Sequence, residues 1–234
     1  MNESKKKYIY PSLVTESFDD ANFHIKYCLS FIKKYLKGNV AEIGAGCGSF
    51  TRHFFNEKIT SLTLTEKDEK NIEILNNKYS SNQSVKVSRD SIFELKNKFD
   101  VILYLHVLEH IENDEKEIIE AIQKIKDNGM LIIMVPAHQN IYSNLDRNVG
   151  HFRRYEKEFF DKKFQSLQKI DFKYLDSTGF ILYKLNKLFF KKEEYPSKIK
   201  IFIWDKFFTP LSAILDFLLG YKVGKCILAI YKKV

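Results

Sequence analysis

Histidines and acids in the middle of the chain are the residue types that suit acid–base chemistry. His106 and His110 follow an apolar run. His138 and His151 lie in a long polar stretch that also contains Asp146. Imidazole titrates near neutral pH, so each of these histidines is a candidate general base. We predict His151 as the base with Asp146 as its orienting partner, and His138 as a further catalytic residue. For each histidine, a purely structural role is the alternative.

A glycine-rich turn near residue 45 is the second feature with chemical meaning. Residues 40–50 read VAEIGAGCGSF, which predicts a short buried strand, a tight turn and the start of a helix. Glycines at 44, 46 and 48 leave no Cβ in the way, so main-chain N–H groups can face a ligand. The spacing differs from the G-x-G-x-x-G of dinucleotide sites, because Ser49 stands where the third glycine belongs. A tight turn without a ligand is the alternative.

Further apolar runs follow the turn at regular intervals. Residues 60–65 predict a second strand that ends on Glu66, where an acid can accept hydrogen bonds from ribose hydroxyls. An ordinary surface glutamate is the alternative there. A short third strand is predicted near residue 86, a fourth over residues 99–104 and a fifth over residues 130–135, closed by Pro136.

The alternation of strands and helices predicts a fold of the α/β class, a doubly wound Rossmann-like sheet with its ligands at the carboxyl ends of the strands. We expect a single domain over residues 1–234. It divides into an N-terminal helical segment (1–37), a cofactor-binding core (38–178), a helical C-terminal cap (179–224) and a last strand (225–234).

Three stretches together resemble a known enzyme family. E-x-G-x-G-x-G at residues 42–48 and V-L-E-H-I at residues 107–111 resemble the motifs of class I S-adenosylmethionine-dependent methyltransferases. P-A-H-x-x-x-Y-x-x-x-D-x-x-x-G-H-x-R-R-Y at residues 136–155 resembles a bacterial subgroup associated with sugar or cell-surface polymer genes. The resemblance implies a seven-stranded sheet whose last strand is antiparallel. It also implies S-adenosyl-L-methionine as cofactor and S-adenosyl-L-homocysteine as product.

The resemblance also assigns residues to the site. Glu42 is implied to hold the glycine loop and the amino group of the cofactor. The implied cofactor-binding residues are Glu42, Gly44, Ala45, Gly46, Gly48, Glu66, Lys67, Asp90, Ser91, Leu105, His106 and His110. Asp90 lies either beside the adenine ring or at the start of a short helix. The predicted substrate-binding residues are Tyr142, Arg153, Arg154 and Tyr155. Arg153 and Arg154 are predicted to clamp a phosphate. The alternative is that one of the two arginines pairs with an acid such as Asp146 and fixes the loop.

The charge of the chain is uneven. Residues 1–150 carry 20 basic and 21 acidic residues, a net charge of −1, whereas residues 151–234 carry 18 and 9, a net charge of +9. The basic part suits an anionic substrate, an acidic membrane surface or RNA, and lysines that merely solubilise an apolar segment are the alternative. Charges and a proline interrupt the apolar stretches after residue 179, which argues against a transmembrane span. A cap over the pocket, a dimer interface and an interfacial membrane helix remain open.

Cysteine usage and targeting signals indicate a cytoplasmic protein. Cys28, Cys47 and Cys226 are odd in number and widely spaced, so we expect neither a disulfide framework nor a C-x-x-C site. No signal peptide is recognised at the start of the chain. We expect no metal site, on the view that the six histidines offer no H-x-x-x-H pair and no cysteine partners at ligand spacing.

The leading functional hypothesis is an O-methyltransferase that acts on a small hydroxylated metabolite, such as a sugar or a cell-surface glycan precursor that is anionic or lipid-linked. Peripheral contact with the inner membrane surface and homo-oligomers are compatible with it. An RNA methyltransferase is the second hypothesis, although no N/D-P-P-Y/F motif follows the fourth strand. A non-catalytic cofactor-binding scaffold is the third, and a nicotinamide dehydrogenase is the alternative from another class. A Ser-His-Asp hydrolase is disfavoured because G-x-S-x-G is missing.

Overall fold

The computed structural model describes residues 20–189 and 197–234. The first nineteen residues of the expected N-terminal segment and residues 190–196 of the expected cap lie outside the described residues. Seven strands form one sheet: β1 (Gly38–Ile43), β2 (Ile59–Thr65), β3 (Val85–Ser88), β4 (Phe99–Leu105), β5 (Ile125–Pro136), β6 (Gln168–Leu175) and β7 (Cys226–Lys232).

The strands lie in the order β3-β2-β1-β4-β5-β7-β6. The pairs among β3, β2, β1, β4 and β5 are parallel, and β7 is antiparallel to both β5 and β6. Because these strands are parallel, the carboxyl ends of β1, β2 and β4 lie on one edge of the sheet, and the order in which strands are added reverses between β1 and β4. The predicted doubly wound, seven-stranded sheet with an antiparallel last strand is confirmed.

Helices flank the sheet and fill its connections. Their bounds are α1 (Asn22–Ile32), α2 (Thr51–Phe54), α3 (Glu69–Tyr79), α4 (Asp114–Lys124), α5 (Asn144–Asn148), α6 (Lys157–Lys163), α7 (Ser177–Phe189), α8 (Lys198–Ile203) and α9 (Thr209–Leu218). A π-helical segment, Trp204–Phe208, joins α8 to α9. The long polar connection from β5 to α6 has secondary structure of its own: it contains the 3₁₀ turn Gln139–Ile141 and α5.

Both faces of the sheet are covered. Successive residues of β1 belong to different apolar clusters: Val40 is in the cluster that contains Leu29 of α1, and Ala41 is in the cluster that contains Ile118 of α4. Side chains of a strand point alternately to its two faces, so each face has its own core. Burial on both faces explains why β4 and β5 read as nearly continuous apolar runs.

The helical segment that contains α8 and α9 buries several polar side chains and exposes many apolar ones. Asp205, Thr209, Ser212 and Asp216 are buried. The exposed side chains of the same segment are Ile199, Phe202, Ile203, Phe207, Leu211, Ile214, Phe217 and Leu218. Both sets recur every three or four residues, so they occupy opposite sides of one helical rod. We call the exposed set the apolar face.

Hydrogen bonds hold the buried polar side in place. The carboxylate of Asp216 accepts the Tyr27 hydroxyl at 2.7 Å and the backbone N–H groups of Asp176 and Ser177 at 2.8 and 2.9 Å. Ser212 donates to Asp176 at 2.9 Å. These bonds join α9 to α1 and to the start of α7. Over the described residues, the structure contains no helix long and apolar enough to cross a membrane.

Candidate functional site

The glycine turn lies at the shared carboxyl edge of the sheet. Ile43, the last residue of β1, pairs with Thr65 on one side and with Tyr104 on the other. The turn therefore begins between the ends of β2 and β4. This register brings together the two predicted motifs, although some sixty residues separate them along the chain.

Backbone N–H groups of the turn are tied to β2. Gly44 donates to the Thr65 hydroxyl at 3.2 Å, and Ala45 to the Thr65 carbonyl at 2.8 Å. Gly46 donates to Oε2 of Glu66 at 2.7 Å. The other oxygen of Glu66 accepts the N–H groups of Lys67 and Asp68 at 2.7 and 2.9 Å. Glu66 thus anchors the loop, and a contact with ribose stays a prediction.

Glycine is required at two positions of the turn for different physical reasons. Gly44 has φ 65°, and a Cβ there would lie 2.9 Å from the Val107 side chain, so its absence lets the first motif pack against the second. Gly46 has φ 57°, and no atom lies within 4 Å of the place of its Cβ. Because Gly46 borders open space rather than protein, its missing side chain leaves room for a ligand.

Glu42 is buried beneath the turn with a single described hydrogen-bond partner. Its carboxylate accepts the hydroxyl of Thr51, the first residue of α2. Burial and, to a smaller extent, the charge of Glu66 raise the pKa of Glu42 to about 8, against the opposing effect of the Thr51 bond. A cationic group beside this carboxyl would restore its charge. Glu42 therefore fits a ligand that carries an ammonium group.

Asp90 and Ser91 stand past β3 in a turn, and the short helix considered for this stretch does not form. Asp90 accepts the Ser88 hydroxyl at 2.7 Å. Ser91 donates both its backbone N–H and its hydroxyl to Glu94, at 2.8 and 2.7 Å. Asp90 is half-buried and keeps its place at the carboxyl edge of β3.

The second motif leaves β4 in a strained conformation. Leu105 is buried in the strand, and His106 has φ 59°, which is unusual for a residue with a side chain. Its ring centroid lies 6.4 Å from that of Phe50, in the turn that leads into α2. Nδ1 of His106 lies 3.5 Å from Oε1 of Glu109. His106 therefore lies between Phe50 of the turn and the carboxylate of Glu109.

Four side chains, Glu109, His110, Asp146 and His151, converge beyond the end of β4, and we call them the acid–histidine cluster. The rings of His110 and His151 lie edge to face with centroids 4.7 Å apart. Nε2 of His151 lies 4.0 Å from Glu109, and Nδ1 lies 2.9 Å from Asp146. The N–H of Phe152 donates to the Glu109 carbonyl at 2.7 Å, which holds the loop against the motif. The predicted pair of His151 and Asp146 is in contact.

Asp146 joins three parts of the loop. It closes a capping box with Ser143 at the start of α5, and its carboxylate accepts Nε of Arg154 at 2.9 and 3.0 Å. Burial alone would raise the pKa of Asp146, but the bonds with His151 and Arg154 outweigh it and lower the pKa to about 2. Burial lowers the pKa of His110 to about 4. At neutral pH Asp146 is charged and His110 is neutral.

The predicted substrate residues have partners inside the protein. Arg153 pairs with Asp114 at 2.7 Å, and Arg154 is buried against Asp146, so neither guanidinium stands free as a phosphate clamp. These ion pairs match the structural alternative, and a role of the two arginines in substrate binding stays a prediction. Tyr155 is 2% exposed and donates to Asp114 at 2.8 Å, which favours a structural role for it as well.

Tyr142 and His138 complete the predicted set. Tyr142 is half-buried and donates to the carbonyl of His151 at 2.6 Å, so it holds the backbone of His151 in place. The ring of His138 stacks on Tyr174 of β6 at 5.2 Å, and its Nε2 lies 3.0 Å from the Gly224 carbonyl. The structure therefore places His138 against β6 and the start of β7 and does not bring it together with His151.

Glu109 is the functional candidate that the sequence argument missed. It lies between His106 and His110 in the quoted V-L-E-H-I motif, which is a usable signal. The expectation of no metal site also had a wrong premise, because His106 and His110 do have H-x-x-x-H spacing. The structure nevertheless does not group His106 with His110. The possible metal ligands that it brings together are Glu109, His110 and, from the distant loop, His151.

Comparisons with known proteins agree with this architecture. A family model described as a methyltransferase domain matches residues 22–173, more than half of the chain. The ubiquinone biosynthesis O-methyltransferase of Rickettsia canadensis (strain McKiel) is 28% identical over 131 residues, which cover 49% of this chain and 55% of that protein. The chain thus spans about half the length of this curated relative.

Solved structures share the fold at low identity. The N-methyltransferase NodS from Bradyrhizobium japonicum WM9, in complex with S-adenosyl-L-homocysteine, has a TM-score of 0.60 at 12% identity, over 97% of this chain and 93% of that one. YcgJ from Bacillus subtilis has a TM-score of 0.60 at 16% identity, over 89% of this chain and 98% of that one. At such identities the likeness shows the fold alone.

Proposed function

Because this chain belongs to the methyltransferase domain family, we propose that it transfers the methyl group of S-adenosyl-L-methionine to a hydroxyl oxygen of a small acceptor. S-adenosyl-L-homocysteine is the second product. The observation that carries the proposal is the shared edge of β1 and β4, where the glycine turn with its open space at Gly46 and the motif that contains Glu109 both follow neighbouring strands. Donor and acceptor groups then meet in one place, as in-line transfer requires.

The residues of the turn fit the cofactor. Glu42 is proposed to bind its ammonium group, since a cation compensates a carboxylate whose pKa burial has raised. The carboxylate of Glu66, which holds the turn through the N–H of Gly46, is proposed to accept hydrogen bonds from the ribose hydroxyls at the same edge. The bound cofactor supplies an electrophilic methyl group on a sulfonium sulfur.

The reaction needs a place for one proton. The acceptor oxygen forms a bond to the methyl carbon, the bond from that carbon to sulfur breaks with its electrons left on sulfur, and the hydroxyl proton leaves. We propose that Nε2 of His151 takes this proton while Asp146 holds Nδ1 at 2.9 Å. A carboxylate on the far nitrogen fixes the tautomer and stabilises the imidazolium that forms.

The acceptor is proposed to be attached to a lipid. The apolar face of α8 and α9 exposes 58% of Phe202, 67% of Phe207 and 69% of Phe217. Its opposite side is bonded into the protein through polar groups, so this side is built to meet an apolar environment. The relative named as acting in ubiquinone biosynthesis is an O-methyltransferase, which agrees with a hydroxyl acceptor.

Charge favours a membrane with anionic lipids. The net charge of residues 151–234 is +9, and the exposed Lys198 and Lys200 lie on the same helix as the apolar face. Lysines beside apolar side chains are typical of helices that lie in the interface of an anionic membrane. We therefore propose peripheral binding at the cytoplasmic side, with a lipid-linked sugar or glycan precursor as acceptor.

A transfer assay with radiolabelled cofactor tests the reaction. The acceptors are a polyprenyl-linked sugar, the matching sugar nucleotide and bulk RNA. We expect label in the lipid-linked sugar and little in RNA. Transfer to RNA alone contradicts the proposal, and binding of the cofactor without transfer to any hydroxylated acceptor favours the non-catalytic scaffold.

Vesicle flotation tests the membrane contact. We expect the protein to float with vesicles that contain phosphatidylglycerol and to remain below with neutral ones at the same salt concentration. The double change Phe202→Glu and Phe217→Glu should weaken binding by at least about 100-fold, since each buried phenyl contributes roughly 1.5–3 kcal/mol. Phe93→Glu is the matched control, because Phe93 is 51% exposed in the turn after β3. A dimer in solution that the double change dissociates would instead assign the face to a second copy.

A further inference from the structure

Glu109 is a buried carboxylate without a close hydrogen-bond partner among the described residues. Its side chain is 0% exposed, and neither of its oxygens has a hydrogen-bond partner among the described residues. Nδ1 of His106 and Nε2 of His151 lie 3.5 and 4.0 Å away, too far for strong hydrogen bonds. A buried charge with such weak partners costs several kcal/mol, so a further partner is expected.

Two neighbouring histidines are oriented as metal ligands are. His151 uses Nδ1 to bond Asp146 at 2.9 Å, which leaves Nε2 on the side of Glu109. His110 bonds the backbone of Gly150 through its ring. Histidines that bind metals almost always give their other nitrogen to a carboxylate or a backbone carbonyl. Both arrangements are present in the acid–histidine cluster.

We propose that Glu109, His110 and His151 bind a divalent transition-metal ion, with zinc as the best fit. One ligand atom of each residue lies within 4.8 Å of the other two. Ligand atoms around tetrahedral zinc are about 3.4 Å apart, so the side chains need only a small inward movement. Two imidazoles and one carboxylate leave a fourth position open. Magnesium and calcium prefer oxygen ligands and fit this set less well.

The role of the ion in methyl transfer rests on the proposed function. A hydroxyl bound at the open position has a lowered pKa and loses its proton to solvent, so its oxygen attacks the methyl carbon as an alkoxide. His151 is then a ligand rather than the base. Binding of the ion itself depends on neither the cofactor nor the acceptor, so the two proposals can fail separately.

The test uses the full chain without cofactor. Isothermal titration with Zn²⁺ and visible absorption with Co²⁺ are measured on wild type, Glu109→Gln, His151→Ala and His53→Ala. We expect one high-affinity ion per wild-type chain and at least a tenfold loss of affinity in the first two variants. His53→Ala is the matched control, because His53 lies on α2 next to Asn22 and should leave affinity unchanged.

Thermal unfolding makes the test independent of folding defects. Without metal, Glu109→Gln should unfold in one cooperative transition, which shows that the variant is folded and that a loss of zinc affinity is not a folding defect. Zn²⁺ should raise the unfolding temperature of wild type and of His53→Ala but not of Glu109→Gln. No binding by wild type at millimolar zinc overturns the proposal, and so does unchanged affinity in a folded Glu109→Gln. Methyl transfer that survives a chelator would remove the ion from catalysis and leave His151 as the base.

Discussion

The carboxylate of Asp146 lies 2.9 Å from Nδ1 of His151 and leaves the opposite nitrogen facing Glu109. This contact determines what the ring can do, because an imidazole held at one nitrogen presents the other in a single direction. The same geometry suits a base that takes a proton from a hydroxyl and a ligand that binds a metal ion. We therefore propose a positioning role for Asp146 in either case.

Asp146→Asn should separate positioning from stability. We expect kcat to fall by about 10²-fold or more, since an amide does not hold the imidazole in the required tautomer. The unfolding free energy should also drop, because Arg154 loses its charged partner. Ser143→Ala is the control, since it removes the hydroxyl that caps the same helix and should cost about 1 kcal/mol with little effect on kcat. Equal losses of kcat in the two variants would contradict the positioning role.

Gly46→Ala tests the open space at the turn. A Cβ at this position meets no protein atom, so the change in the free protein should cost only about 1 kcal/mol from the positive φ. We expect the affinity for S-adenosyl-L-homocysteine, measured by calorimetry, to fall at least tenfold. Gly220→Ala is matched closely, because Gly220 has φ 59° and equally open surroundings after α9. It should lose similar stability and keep its affinity. The same affinity in both variants would place the cofactor elsewhere.

Glu42 should make stability depend on pH. Its pKa in the folded protein is about 8 against an ordinary value of 4.5, so the folded state binds this proton more tightly than the unfolded one. The protonated Glu42 carboxyl therefore contributes on the order of a few kcal/mol to the free energy of unfolding. This contribution is complete below about pH 4.5 and is lost as the pH rises through about 8. Thr51 and Glu66 are the polar and titratable groups that act on the Glu42 carboxyl.

The comparison of Glu42→Gln with wild type isolates this effect. Urea denaturation at pH 5, 7 and 9 should show the wild-type protein losing stability relative to the variant as pH rises. Saturating S-adenosyl-L-homocysteine should reduce the loss if its ammonium group meets Glu42. A constant difference between the two proteins across this range would show that the Glu42 carboxyl does not titrate there.

Asp216→Asn should destabilise the inverted helical segment. The carboxylate accepts three hydrogen bonds, from Tyr27, Asp176 and Ser177, and an amide group turns one accepting atom into a donor. We expect a loss of about 2–4 kcal/mol in the unfolding free energy, measured by urea denaturation. Asp161→Asn is the control for the same chemical change at an exposed ion pair with Lys157. There we expect a loss of less than about 1 kcal/mol in the unfolding free energy.

The sequence by itself determined the order of the strands along the chain, the glycine turn at Gly46, the motif after β4 and the family. These follow from short-range patterns: a buried parallel strand needs an apolar run, and a turn that faces a ligand needs residues without a Cβ. His151 and Asp146 were also predictable as a pair, because they lie five residues apart in one polar loop.

Only the tertiary structure decided which distant groups meet. Glu109 faces His151 because Phe152 is bonded to the Glu109 backbone, a contact that no local pattern specifies. The same reason explains why Arg153 and Tyr155 turned out to be bonded to Asp114 and why His138 packs against β6. A side chain's periodicity tells which side of a helix it occupies, but its burial depends on partners far along the chain. For Asp216 that partner is Tyr27, 189 residues away.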